Sequence, residues 1–157
     1  MAKSILIPSA SSNYEYPSNI GILICGHGSR DPKAVSEFIN VVEKIKSRIP
    51  TIPVAFGFLE FNRPIINSAL DQLTNMGVER VIALPAMLFS AGHAKNDIPA
   101  VLNKYSAEHG LSIQYGRELG LNSLMIGAAG ARIKEIIDRN PIFPLSETLL
   151  VVAGRGS

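Results

Sequence analysis

Much that would announce a function is scarce in this sequence. It has no tryptophan, and aromatic residues make up only 6% of its 157 positions. So few rings give no platform on which nucleic-acid bases could stack. The net charge is only +2 and no run of Lys or Arg forms a stripe, so the electrostatic footprint of a nucleic-acid binder is missing. Cys25 is the one cysteine, which excludes an internal disulfide. Its apolar neighbours make it a buried, reduced thiol, as expected of a cytoplasmic protein. No stretch approaches the ~20 apolar residues of a membrane span. The N-terminus offers one lysine and a short "ILI" before Pro8, a poor secretory signal. Residues 9–19, "SASSNYEYPSN", are polar and turn-rich, and 1–19 reads as a loose lead-in.

Familiar catalytic patterns are missing too. No G-x-x-x-x-G-K-[ST] run occurs, so no P-loop and no ATP use is expected. "GHGSRD" is not the G-x-S-x-G elbow of hydrolases, although Ser29 could act as a nucleophile beside His27. Nor is it a full dinucleotide loop, because the third glycine of G-x-G-x-x-G would fall on Asp31.

What is present is a globular composition, with 46% apolar and 18% charged residues. The length suits one domain with a real core. From Ile20 the chain alternates two periods. "IGILIC" (20–25) reads as a strand buried on both faces, and Asp31–Pro32 as the N-cap and first residue of a helix. Val35, Phe38, Val42, Ile45 and Ile49 form that helix's inner face. "IPVAFGFLE" (52–60) is a second strand. Ile66, Ala69, Leu70, Leu73 and Met76 are the inner face of a second helix that Gly77 stops. "ERVIALPAML" (79–88) is a third strand, and "SAGHAKND" (90–97) a loop. A third helix carries Ile98, Val101, Leu102 and Tyr105. "LSIQYG" (111–116) is strand four, Leu121 to Ile136 helix four, and "TLLVVA" (148–153) strand five. This order predicts an α/β fold: an open, mainly parallel sheet of four to five strands with helices on both faces, in flavodoxin-like layers.

In such sheets ligands gather beyond the carboxyl ends of the strands. His27, Glu60 and His93 follow strands one, two and three. Two imidazoles and a carboxylate suit a borderline divalent metal such as Co(II), Fe(II), Ni(II) or Zn(II). Gly26, Gly28 and Gly92 would give the backbone room to turn beside the two rings. Glu60 could instead pair with Arg63. His109 sits at a helix C-terminus, where a polar or positive group is favoured anyway, and is left out of the site.

Three segments, "LICGHGSRDP", "FGFLEFNRP" and "VIALPAMLFSAGHAKNDIP", together resemble the class II tetrapyrrole chelatases, and among them the CbiX-type sirohydrochlorin chelatases. The resemblance covers about residues 20–155. It implies a lyase that inserts Co(II), or Fe(II), into sirohydrochlorin without ATP, for cobalamin or sirohaem synthesis. No permanently bound cofactor is expected, since the metal is a substrate. His27 and His93 would present the metal, with Glu60 at the family's acidic position. Inserting M(II) into a free-base tetrapyrrole releases two N–H protons, and histidine can both hold a metal loosely and take up protons. The eight carboxylates of sirohydrochlorin would meet Arg30, Arg63 and Lys95, with Ser29, Ser90 and Gly92 also at the substrate site. Two other readings use the same residues: a metal or tetrapyrrole carrier that does no catalysis, and an unrelated flavodoxin-like regulatory domain. A phosphate-binding first loop would support the second, and His27 argues against it.

The chain's last residues, "LVVAGRGS", repeat "ILICGHGS" with Arg155 in place of His27. Long members of the resembled family have two similar halves over one cleft, and short members form homodimers. The expectation is a chelatase-like domain over 20–147 and, over 148–157, a strand and the start of a second repeat. Its partner would be a second copy or the C-terminal half of the same protein, with no nucleic acid and no membrane.

Overall fold

The computed structural model describes residues 19–89, 92–140 and 144–153. They fall into two compact units divided after Gly120.

The first unit is a four-stranded, wholly parallel sheet. Its strands are β1 (Ile20–Gly26), β2 (Val54–Phe58), β3 (Arg80–Pro85) and β4 (Ser112–Tyr115), in the order β2-β1-β3-β4. β1 is central and pairs Ile22 with Val54 on one side and Ile82 on the other. Helices α1 (Pro32–Arg48), α2 (Ile66–Asn75) and α3 (Ile98–His109) join them. Parallel neighbours require such crossovers, because a tight turn cannot bring the chain back to the same end of the sheet.

Alternation along β1 divides the core in two. Leu23 and Cys25 lie in one cluster with Ala69, Leu70 and Leu73 of α2 and Ile98, Leu102 and Tyr105 of α3. Ile22 and Ile24 lie in the other with Phe38, Val42 and Ile45 of α1. Burying each large apolar side chain here contributes about 1.5–3 kcal/mol. Helices thus cover both faces, and the chain changes face beside β1, where the carboxyl ends of β1, β2 and β3 meet. Asp31 caps α1 by accepting from the Lys33 N–H at 2.9 Å, as its place before Pro32 predicts.

Some expectations need correction. Met76, expected inside, is 60% exposed, because α2 ends at Asn75 and Met76 sits past its last turn. The expected loop 90–97 is helical from His93: residues His93–Asp97 make a turn of π-helix that runs into α3, with the Ile98 N–H bonded to the His93 carbonyl. A fifth strand at 148–153 is not seen among the described residues. Residues 148–153 carry no strand, and Leu149 and Val152 are each 84% exposed. A strand exists only where a neighbour completes its ladder, and an apolar run alone supplies no neighbour.

The second unit holds α4 (Ser123–Arg139), capped by the Asn122 side chain, and a short 3-10 turn at Leu145–Glu147. None of the α4 residues is fully buried; of its expected inner face Met125 is half-buried and Ala129, Ile133 and Ile136 are exposed. The lead-in at 1–18, Ser90 and Arg155 lie outside the described residues. Among the described residues no helix is long and apolar enough to cross a membrane.

Candidate metal centre

His27 leaves the end of β1 on a turn that only glycine can complete. Gly28 has φ +97°, and a Cβ there would stand 1.9 Å from the Glu60 carbonyl oxygen. That close approach docks the turn after β1 against the turn after β2. The pairing runs on past the strand ends, with the Leu59 N–H donating to Gly26 O at 2.9 Å and the Glu60 N–H to His27 O at 3.1 Å. The Ser29 N–H donates to Asn62 Oδ1 at 2.7 Å. Between Glu60 and Asn62 the chain makes a γ-turn. The Asn62 N–H bonds the Glu60 carbonyl at 2.8 Å, and Phe61 takes φ +63°. A bulky residue in that region is rare and stores about 1–3 kcal/mol. The Arg63–Pro64 peptide that follows is cis.

Three elements therefore deliver three donors to one place. His27 Nε2 lies 3.1 Å from Glu60 Oε1, and the His27 and His93 rings meet edge to face with centroids 4.5 Å apart. One ligand atom from each of His27, Glu60 and His93 lies within 4.8 Å of the others. Both imidazoles are oriented from behind. A carbonyl and a carboxylate can only accept, so His27 Nδ1–H donates to Gly28 O at 3.0 Å and His93 Nδ1–H to Asp97 Oδ2 at 2.7 Å. This leaves each Nε2 free to bind. A metal ion bound at His27 Nε2 would have the Glu60 carboxylate within reach, since Oε1 lies 3.1 Å from that nitrogen. The three side chains are 37%, 42% and 47% exposed, so a bulky partner can reach them.

The donor set of two nitrogens and one oxygen fits a borderline divalent metal and leaves coordination positions open. A cleft of about 160 Å³ opens beside His27 between Ser29, Val35, Phe38, Phe58 and Ala86. Pockets that enclose a drug-sized ligand run to about 300–1,000 Å³.

The other expected residues are spread along this rim. Glu60 pairs with His27, not with Arg63, which is exposed and has no ion pair among the described residues. Ser29 Oγ accepts from the Asp31 N–H at 3.0 Å, so it braces the turn ahead of α1. Arg30 is exposed, its guanidinium 5.1 Å from the centre of the Phe61 ring. Lys95 is exposed on the π turn. Gly92, expected to supply backbone freedom, has ordinary right-handed helical angles (φ −48°, ψ −46°) and open space around it, so its conformation does not require glycine. His109 stacks on Tyr105 with centroids 4.0 Å apart and bonds its own helix at Tyr105 O.

Sequence reasoning did not single out Phe61, Asn62, Asp97 or Tyr115. Asp97 lies four residues after His93, a spacing that pairs side chains once the segment is helical. That signal was there, but a loop reading of 90–97 hides it. Tyr115 on β4 donates its hydroxyl to the Ala94 carbonyl at 2.8 Å and so ties the π turn to the sheet. Nothing local in the sequence announces that contact.

Known proteins share this arrangement of elements. The chain is 33% identical over 137 residues to a sirohydrochlorin cobaltochelatase of Priestia megaterium, covering 86% of this chain and 44% of that one. It is 31% identical over 137 residues to a sirohydrochlorin ferrochelatase of Bacillus subtilis (strain 168), covering 87% of this chain and 51% of that one. The sirohydrochlorin chelatase SirB from Bacillus subtilis subspecies spizizenii, solved in complex with cobalt, superposes with a TM-score of 0.72 at 29% identity, over 75% of this chain and 51% of that one. The chain thus spans about half the length of these relatives. The CbiX family profile matches residues 21–136, most of the chain and all four strands, and the chain belongs to the CbiX family.

Proposed function

We propose that this chain carries the metal-handling residues of a sirohydrochlorin chelatase, a lyase that inserts a divalent metal into sirohydrochlorin without ATP. The observation that carries the reading is the convergence of His27, Glu60 and His93 within 4.8 Å at one open rim. His27 and His93 hold the incoming metal through Nε2 and Glu60 holds it through its carboxylate, with the remaining positions facing the macrocycle. As the metal passes to the pyrrole nitrogens, two N–H protons must leave. The same transfer frees the lone pairs of the protein ligands, so the groups that release the metal take up the protons. An incomplete ligand set matters here, because a closed four-ligand site would keep the metal. Arg30, Arg63 and Lys95 meet peripheral carboxylates, and Ser29, Ser90 and Gly92 complete the substrate-facing segments. Two imidazoles and a carboxylate accept Co(II) and Fe(II) alike. Cobalt is the first metal to test and iron the second, since relatives of both names share the similarity.

The small cleft and the open rim fit a macrocycle held between two lobes. We infer that the second lobe is either further sequence of the same protein or a second copy of this chain. Residues 148–153, apolar and without a strand partner in the described residues, would pair within that larger assembly.

The test mixes sirohydrochlorin with Co(II) and follows the change in its visible spectrum. With the second lobe or second copy present, the protein should accelerate insertion, and His27→Ala or His93→Ala should reduce the rate to the uncatalysed one; the chain as a strict monomer should act weakly or not at all. Tight binding of metal and tetrapyrrole by that two-lobed assembly with no acceleration would identify a carrier and end the enzyme reading.

A further inference from the structure

Phe61 is the one non-glycine residue with positive φ among the described residues, at +63°. Glycine or asparagine would hold that γ-turn at less strain. Burial does not repay the strain, because Phe61 is 53% exposed. The ring is not an isolated surface group. Its centroid lies 6.0 Å from that of His27, and the Arg30 guanidinium, on a different element, stands over one face of the ring at 5.1 Å from its centroid. The turn beneath is fixed from several sides, by the Asn62 side chain on the Ser29 N–H, by the Glu60 N–H on His27 O, and by the contact of Gly28 with the Glu60 carbonyl. A strained, exposed aromatic ring held rigidly beside the three metal donors is more than the fold requires.

We propose that Phe61 is a substrate-contact residue, the ring face not covered by Arg30 forming a fixed apolar shelf for the flat face of a conjugated macrocycle, with Arg30 on the opposite face to receive a peripheral carboxylate. The inference rests on the chelatase reading above. The chemistry of the pair selects this ligand class. A phenyl ring gains most from an offset, flat, conjugated partner, and a guanidinium from a carboxylate that takes two of its N–H groups. A planar polycarboxylate offers both at adjacent points. The cation–π contact keeps Arg30 near the ring before the ligand arrives, which reduces the side-chain freedom lost on binding.

Phe61→Gly tests this, because the shelf and a packing role predict opposite results. Glycine suits φ +63°, so the thermal midpoint should stay or rise. Co(II) titration should match the parent protein. The Kd for metal-free sirohydrochlorin, read from its fluorescence, should rise about tenfold, while Phe61→Tyr should keep it within about twofold. Arg30→Gln should also weaken sirohydrochlorin binding, with less loss at high salt, where the parent's own charge contact is screened. An unchanged Kd in Phe61→Gly, where the parent binds, would overturn the proposal. So would a large fall in thermal midpoint, which would make the ring a packing residue, or a change in self-association alone, which would make it a protein contact. A parent protein that, with its second lobe or second copy present, binds Co(II) but no sirohydrochlorin would instead refute the chelatase reading itself.

Discussion

His93 donates from Nδ1 to Oδ2 of Asp97 at 2.7 Å, across one turn of π-helix. The bond fixes the ring's tautomer and turns Nε2 toward His27 and Glu60. Carboxylates behind a metal-binding imidazole also raise its basicity, and losing one lowers metal affinity by about 10–100-fold. Asp97→Ala is expected to weaken Co(II) binding by that amount in a titration followed by visible absorption. The pair is about half exposed, so the thermal midpoint should hardly move. Unchanged Co(II) affinity would mean that His93 needs no such support.

Gly28 has the opposite signature. Its positive φ and the 1.9 Å approach to the Glu60 carbonyl leave no place for a methyl group. Gly28→Ala should lose about 2–3 kcal/mol in urea unfolding. It should also separate His27 from Glu60, so metal binding falls with stability. Wild-type stability in this variant would mean that the two turns can part without penalty.

Cys25 sits at the end of central β1 with no exposed surface, and burial pushes its thiol up to about 12. Thiolate is the reactive form, so the native protein should resist iodoacetamide at pH 8 and react only after denaturation. The linkage has a definite sign. The unfolded thiol titrates near 9.0 and the folded one near 12, so between these values unfolding releases a proton. Stability is therefore complete below pH 9 and declines toward pH 12. Tyr105 and Tyr115, both raised first by burial, pull in the same direction. A thermal midpoint that stays flat from pH 8 to 11 would contradict this.

Tyr115 links β4 to the His93 turn through the Ala94 carbonyl. Tyr115→Phe removes the donor and leaves that carbonyl beside a buried residue, with Ala94 only 4% exposed. The expected loss is about 1–2 kcal/mol. Amide exchange should quicken at residues 93–98 before it does in the sheet. Uniform quickening across the whole unit would mean that the bond does not act locally.

The strands and helices of the first unit were legible because burial writes its own period into the chain. β1 reads as an unbroken apolar run because both its faces are covered, Leu23 and Cys25 on one side and Ile22 and Ile24 on the other. The helix faces at Val42 and Leu70 repeat every three to four residues for the same reason. The three metal-site candidates were legible from one rule, that polar residues just after parallel strands gather at one edge.

Other features depend on contacts between residues distant in sequence, and local patterns carry no record of them. The run "TLLVVA" has the composition of a strand, yet a strand is a relation between two segments, and residues 148–153 have no partner among the described residues. The γ-turn at Phe61 is held by groups more than thirty positions away, such as the Ser29 N–H on Asn62. The hold of Asp97 on His93 required the segment to be helical first. The sequence by itself determined the alternation of elements and which residues stand at the strand ends, because hydrophobic burial is periodic. Tertiary structure alone decided that the two imidazoles meet with centroids 4.5 Å apart and that a carboxylate stands beside them, because those distances follow from strand register and turn docking.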